Sequence, residues 1–299
     1  MRRRRRTVPV GRPGRPGGGE AVPVGRDQLT LATFNIWFSD YHAEQRFRAI
    51  ADLLSLRMPD VVALQEVTPA ALDIFTSQEW IAQHYHRAAV VGDDVGTYGM
   101  ALLSRLPLTD VTYTRLPTRL SRGFLQARCA AGGGELVVCN IHLDSGKRSA
   151  RLRVRQLRRI FGSLRRAGDA VVLGDFNMRD RENDRITAPY RDVWPTLRPG
   201  DAGYTEDTDI NLMRWDSKPK RRQVRFDRVL IKAERWAASD VELLGTEPIS
   251  PDLPRVFPSD HFGVWCRLVR QGPAPADTGR PTLLDRWKGL RWNPFRSSR

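Results

Sequence analysis

Six strand-like runs in this chain each end on an acid, an amide or an imidazole, and that repetition constrains the fold more than any other feature. Asn35 stands in "TFNIW", Glu66 in "ALQEV", and His142 with Asp144 in "NIHLD". Asp175 and Asn177 follow in "GDFN", Asp227 in "RFDR", and Asp260 with His261 in "PSDHFG". One such residue reads as a turn or cap, because Gly, Asp and Asn are common where strands finish. Six strands doing the same thing read as the rim of a sheet, where ligand sites of α/β folds collect. "AVVLGDFN" is the clearest case. Val171, Val172 and Leu173 are apolar on both faces, as in a strand covered on two sides. Asp175 and Asn177 are two apart, so on a strand they point the same way. A carboxylate there is costly unless it is paired or holds a metal.

The remaining pattern supplies the scaffold. Residues 29–37 alternate like a strand, and Phe47, Ile50, Ala51 and Leu54 recur at helical spacing before Met58-Pro59-Asp60 ends that helix. A strand ending at Glu66 and a short helix from Pro69 follow. Further strands are expected near 85–91, 97–104, 108–115, 124–129, 135–143, 224–232 and 262–269. Residues 147–166 predict a very basic helix whose buried stripe is Leu152, Leu157, Ile160, Phe161 and Leu164. No repeat of the solenoid type interrupts the order. Strands interspersed with a few helices point to an α/β layered domain over roughly residues 28–270.

Charge is unevenly placed. The net charge is +15, of which +6 lies in residues 1–27 and +4 in residues 271–299. The first segment is rich in Arg, Pro and Gly and is expected to be a disordered basic tail. The last is a second basic tail whose "TLLDRWKGLRWNPFR" could form a short amphipathic helix. Such arms attract nucleic acid or make weak contact with an anionic surface; they can also simply solvate the ends. Cys129, Cys139 and Cys266 lie in separate strand-like runs with no CxxC spacing, which suits a reducing cytoplasm. No transmembrane segment is expected, and Pro and Gly stand where an export signal needs its apolar stretch. A Walker-type phosphate loop is also missing, so a nucleotide-driven motor is not indicated.

The strand-end set suits hydrolysis of a phosphate ester. Glu66 with one or two more carboxylates or amides would hold a partly hydrated Mg²⁺, with Mn²⁺ as the alternative. Asp175 would accept the proton of an attacking water, with the Asn177 amide orienting it. His261 held by Asp227 would be a fixed imidazole able to donate to the phosphate.

In order, "TFNIW", "ALQEV", "GMALLSRLP", "NIHLD", "GDFN" and "PSDHFG" resemble the endonuclease/exonuclease/phosphatase superfamily over roughly residues 29–269. The resemblance implies a four-layer α/β sandwich, two mixed sheets face to face with helices outside, and a Mg²⁺-dependent phosphodiesterase site. "LGDFNMRDREN", "DVWPTL", "YTEDT", "RFDR" and "FPSDHFGVWC" look most like the 5′-tyrosyl-DNA phosphodiesterases, which repair DNA ends. Carried over by position, Asn35, Glu66 and Asp260 would serve the metal, with Glu66 its direct ligand. Asp175, Asn177, His142, Asp227 and His261 would be catalytic, with Asp260 and His261 closing the phosphate site. Arg179 and Tyr98 would contact the DNA end. Abasic-site endonucleases of the superfamily carry Tyr where this chain has His142, which argues against that activity. The chain departs from the pattern at Trp37-Phe38, where Asp-Gly is usual, and at "HLDSGKR", where the family has a Glu and a Thr-Arg.

Three other readings remain at this level: a general nuclease, a phosphodiesterase or phosphatase acting on lipid or inositol phosphates, and a non-catalytic nucleic-acid binder. The basic helix and "KPKRRQVR" would suit a lipid head group as well as DNA. A non-catalytic binder should have lost an acid, yet Glu66, Asp175, Asp227, Asp260 and His261 are all present.

Overall fold

The computed structural model describes residues 5–14, 26–92 and 95–272. The amphipathic segment around Trp287 and Trp292 lies outside them. Two sheets form the body. The first runs β1 (Arg5–Thr7), β6 (Thr109–Arg115), β7 (Gly123–Ala131), β8 (Gly134–His142), β9 (Asp169–Asp175), β13 (Asp227–Lys232) and β10 (Arg191–Asp192). The second runs β14 (Trp236–Leu244), β15 (Gly263–Arg270), β2 (Gln28–Asn35), β3 (Val61–Val67), β5 (Gly99–Ser104) and β4 (His86–Val90). A short ribbon, β11 (Glu206–Asp207) with β12 (Gln223–Val224), stands beside them. β8–β9 and β2–β3 are parallel pairs among antiparallel ones, so both large sheets are mixed.

The largest apolar cluster fills the space between the sheets, drawing Leu31 and Ala63 from one and Val138, Leu173 and Val229 from the other. Helices cover the outer faces. α1 (Ala43–Ser55) buries Phe47, Ile50, Ala51 and Leu54, the stripe its spacing predicts, in a cluster with Phe34, Leu64 and Leu103 of the second sheet and with α2 (Pro69–Thr76), and α3 (Glu79–His84) adds Ile81 to the same cluster. Burial of Phe47, Ile50 and Leu54 stabilises the fold by about 1.5–3 kcal/mol each. α2 starts where Pro69 takes the first helical position and Thr68 Oγ1 accepts the Ala71 N–H at 3.1 Å. α4 (Ala150–Ser163) covers the other sheet through Leu157 and Ile160. Its buried face is turned from the expected stripe: Arg153 and Gln156 are buried, while Leu152 and Phe161 are only half-buried. Arg153 can go inside because Glu182 pairs with it at 2.7 Å and two carbonyls accept its remaining N–H groups. Sheets face to face with helices outside are the four-layer α/β sandwich expected from the sequence.

The N-terminal arm differs from expectation. Within residues 1–27, residues 5–14 are structured. β1 adds to the edge of the first sheet, Val8 is buried, and Gly11 bridges Arg87 of β4 in the second sheet. The segment therefore straps the two sheets together and covers an edge that would otherwise offer unpaired backbone groups. None of the described helices is long and apolar enough to cross a membrane.

Candidate active site

Three neighbouring strands of the first sheet deliver the centre of the site in one row. His142 on β8 and Asp227 on β13 are the register partners of Asp175 on β9, one on each side. Gly174 makes this possible. Its φ is +139°, and a Cβ there would stand 2.0 Å from the Ile141 carbonyl oxygen, so β8 and β9 approach closely only because the residue before Asp175 has no side chain.

Asp175 is 1% exposed and tightly held. Its Oδ1 accepts the Asn177 N–H at 2.8 Å. Its Oδ2 accepts the amides of Asn177 at 2.9 Å and of Asn35, from the opposite sheet, at 3.1 Å. His142 Nε2 stands 3.3 Å from the same oxygen. Burial alone would raise the Asp175 pKa, but His142, His261 and the Asn177 N–H outweigh it and hold the carboxyl below the usual carboxylate range. His142 is pushed the other way: burial and the Arg122 charge lower its pKa despite Asp175 and Glu66 beside it.

Asp227 holds the second imidazole, its Oδ2 2.7 Å from His261 Nδ1. Burial opposes a charge on His261, yet Asp227 and Asp260 together raise its pKa well above the ordinary value. The strand end is pinned by Thr205, whose Oγ1 accepts the N–H groups of Phe226 and Asp227 at 3.0 Å each. Ser259 donates to the Asn35 carbonyl at 2.6 Å and accepts the His261 N–H at 3.2 Å, fastening "PSDH" to the end of β2.

Glu66 rises from a bulge where β3 slips against β5, with φ at +61°. Bulges re-aim side chains next to active sites, and this one turns the carboxylate to the rim. Among the described residues it accepts one hydrogen bond, from Phe38 N–H at 3.2 Å, and no Lys or Arg pairs with it. Burial, together with the Asp260 charge, raises its pKa. Asp260, 3.9 Å from Arg214 Nε, is raised by burial as well. Two half-buried carboxylates at the rim, of which Glu66 has no Lys or Arg partner within ion-pair distance among the described residues, suit a divalent cation. No three His, Cys, Asp or Glu converge on one point among the described residues.

The ten residues singled out by sequence thus form a buried floor of Asn35, His142, Asp175, Asn177, Asp227 and His261, with a half-buried rim of Glu66, Tyr98, Arg179 and Asp260. Tyr98 stacks on His142 with centroids 6.0 Å apart, and exposed Phe38 lies 4.6 Å from Tyr98. Arg179 sits over the Phe226 ring at 5.7 Å, and Phe226 in turn tilts against His261. Asp144 is the exception in its motif: its carboxylate accepts Thr118 Oγ1, Arg119 N–H and Gln156 Nε2, so it fastens a loop and takes no part in the site.

Besides Arg153, sequence reasoning missed two buried arginines beside the site, Arg46 and Arg122. Arg122 donates to Tyr98 Oη at 2.8 Å and lies over its ring. Arg46 donates to the carbonyls of Ile36, Trp37, Ser39, Tyr41 and Pro258, tying the loop that carries Phe38 to the one that carries His261. Burial lowers its pKa to about 10. An Arg at helical spacing in a polar stretch gives no sign of being buried; only Ser259, inside "PSDH", had a signal to find.

The model of the Endonuclease/Exonuclease/phosphatase family matches residues 32–261. Tyrosyl-DNA phosphodiesterase 2 of Mus musculus is 31% identical over 272 residues, covering 83% of this chain and 70% of the mouse protein. The Homo sapiens protein of that name is 30% identical over 255 residues, 80% of this chain and 68% of the human one. A Danio rerio tyrosyl-DNA phosphodiesterase 2 crystallised with a single-strand DNA product superposes with a TM-score of 0.72 at 26% identity, over 81% of this chain and 99% of that one. An endonuclease/exonuclease/phosphatase from Beutenbergia cavernae shares the fold, with a TM-score of 0.60 at 22% identity over 84% of this chain and 73% of that one. On the span of the family match and on relatives of this identity, the chain belongs to the endonuclease/exonuclease/phosphatase family.

Proposed function

We propose that this chain hydrolyses phosphodiester bonds at DNA ends, and that its substrate is the bond between a DNA 5′-phosphate and a tyrosine phenol, a lesion whose removal is repair. The observation that carries the reading is the row His142–Asp175–Asp227 with His261 held by Asp227, two carboxylates that each meet their own imidazole and imidazoles whose pKa values are pushed apart. Relatives named for tyrosyl-DNA cleavage support the substrate.

Glu66 and Asp260 would hold Mg²⁺, with Asn35 beside them; when bound, the ion neutralises phosphoryl oxygen charge as water attacks. Asp175 keeps its charge and accepts a hydrogen bond from the attacking water. Its low basicity suffices, because the water becomes strongly acidic as its oxygen bonds to phosphorus. The Asn177 and Asn35 amides fix the carboxylate, so it needs no reorganisation during the reaction. His261, kept protonated by Asp227, donates to a non-bridging phosphate oxygen. The phenol has a pKa of about 10 and leaves with less help from a general acid than an alkoxide needs. Arg179 and the Tyr98–Phe38 pair at the rim supply a cation and aromatic faces for a DNA end. Three buried free thiols, Cys129, Cys139 and Cys266, support the reading of a reducing compartment such as the cytoplasm.

The test is a panel of labelled DNA ends incubated with Mg²⁺: 5′-phosphotyrosyl, unmodified, abasic and 3′-blocked. The expected result is release of a 5′-phosphate from the tyrosyl end, at a rate at least about tenfold above the unmodified one, or ~1.4 kcal/mol of transition-state preference. Faster cutting of internal linkages would favour a general nuclease instead.

A further inference from the structure

The segment 147–166, "KRSARLRVRQLRRIFGSLRR", holds nine basic residues and no acid. Arg153 is buried in its ion pair with Glu182, but Arg148, Arg151, Arg155, Arg158, Arg159 and Arg165 are all exposed. The spacing of Arg151, Arg155, Arg158 and Arg159 follows the helical repeat, so they form one stripe along α4, and Arg148 and Arg165 stand just beyond its two ends. At the far end the stripe meets β1. Arg5, Arg158, Arg159 and Arg165 converge on a cavity of about 430 Å³ that also exposes Gln126 and Ser163 and has no carboxylate in its wall. Among the described residues none of these four guanidinium groups makes an ion pair or a hydrogen bond, although the Arg165 carbonyl accepts from Lys232 Nζ at 3.0 Å. Guanidinium groups that line one cavity repel one another unless an anion joins them.

The stripe is anchored to the catalytic end of the sheet. Arg153 donates to the Asp144 and Gly146 carbonyls, and its partner Glu182 accepts the Arg179 N–H at 3.3 Å. From there the 14 residues of α4 run about 20 Å, at ~1.5 Å per residue. That is the length of about six nucleotides of one strand, at ~3.4 Å each. A membrane would need apolar side chains beside the charge. The exposed large hydrophobic residues among those described, such as Leu56, Ile210 and Trp215, lie neither on α4 nor in the cavity.

We propose that the arginine face of α4, closed by the cavity with Arg5, is a second binding surface that grips the sugar-phosphate backbone of a nucleic acid whose end lies in the site. The proposal rests on the DNA-end reading and extends it: the surface reads length rather than sequence, because phosphate contacts position without specifying.

The experiment measures dissociation constants of the full chain and of R158Q/R159Q/R165Q for unmodified fluorescent DNA strands across a salt series. Strands of about 6 and about 24 nucleotides match and exceed the length of the stripe. All three side chains are exposed, and near-ultraviolet circular dichroism checks that the variant is folded. The full chain should prefer the longer strand. The variant should lose most of that preference, and its slope of log affinity against log salt should shrink by about two, at ~0.7–0.9 per lost contact. An unchanged length preference and slope would overturn the proposal. So would loss of sedimentation with phosphatidylserine vesicles while binding of the longer strand stays intact. Because the readout is binding, failure to cleave tyrosyl ends would overturn the proposed substrate without altering this result.

Discussion

Asp175 and Asp227 face each other as register partners across β9 and β13, yet each takes a different imidazole. Asp175 meets His142 through Nε2 at 3.3 Å, and Asp227 meets His261 through Nδ1 at 2.7 Å. The two histidines shift in opposite directions, His142 down and His261 up. Groups of one kind driven apart in this way usually mark a division between acid and base roles.

That division predicts a pH profile. His261 has a raised folded-state pKa, so its imidazolium is present through neutrality and is lost as pH climbs through that pKa. Activity that needs the imidazolium should fall on the alkaline side. Asp227→Asn removes a carboxylate that raises His261, so the alkaline limb should move to lower pH. A kcat/KM profile of both proteins checks this; an unmoved limb would assign the limb to another group.

Asp175→Asn and Glu66→Gln should each lower kcat by roughly 10²–10⁴-fold, the range for a lost positioned proton acceptor or electrostatic stabiliser. Glu66→Gln should leave thermal stability unchanged or slightly higher. Burial raises the Glu66 pKa, so its charged form is the one the fold disfavours at neutral pH. EDTA should abolish turnover and Mg²⁺ restore it. Melting curves alongside steady-state rates separate lost chemistry from lost folding.

The strap over residues 5–14 carries a stability prediction. Val8 is 4% exposed and packs in the inter-sheet core, so Val8→Asp forfeits about 1.5–3 kcal/mol of burial and adds an unpaired buried charge. At roughly 2–4 °C per kcal/mol for a domain of this size class, Tm should drop by several degrees or more. Differential scanning calorimetry reads it directly. An unchanged Tm would show that the strap is dispensable.

What the sequence showed and what it hid follow from the same physics. Strands such as β9 are legible because every residue is buried and the apolar run stops where the polar pair begins. β14 alternates poorly, since it lies at a sheet edge with Asp240 and Glu242 partly in solvent, and its run was not read as a strand. β1 is two arginines and a threonine, held by backbone pairing that leaves no mark in side-chain pattern. The floor of the site was visible because buried strand ends rarely carry acids for nothing. Arg46, Arg122 and Arg153 were hidden because a charged residue reads as solvated until its partners, far away in sequence, are known.

Arg179 is the sharpest test of substrate choice. Its guanidinium rests over Phe226, which leans on His261, so it stands at the rim on the side where the phosphate would be held. Burial and the neighbouring charges of Arg222 and Arg153 lower its pKa, a sign that several cations crowd this rim. A rim of that kind attracts the phosphate next to the scissile bond, and a hydrogen bond to a charged group is worth about 1.5–3 kcal/mol. Arg179→Ala should therefore cut kcat/KM on a 5′-tyrosyl oligonucleotide by roughly 10–100-fold. A small aryl phosphodiester, which lacks the flanking phosphate, should feel the change far less. Measuring both substrates on both proteins decides the matter: an equal loss on the two would mean that Arg179 only shapes the site through Phe226 and does not hold DNA.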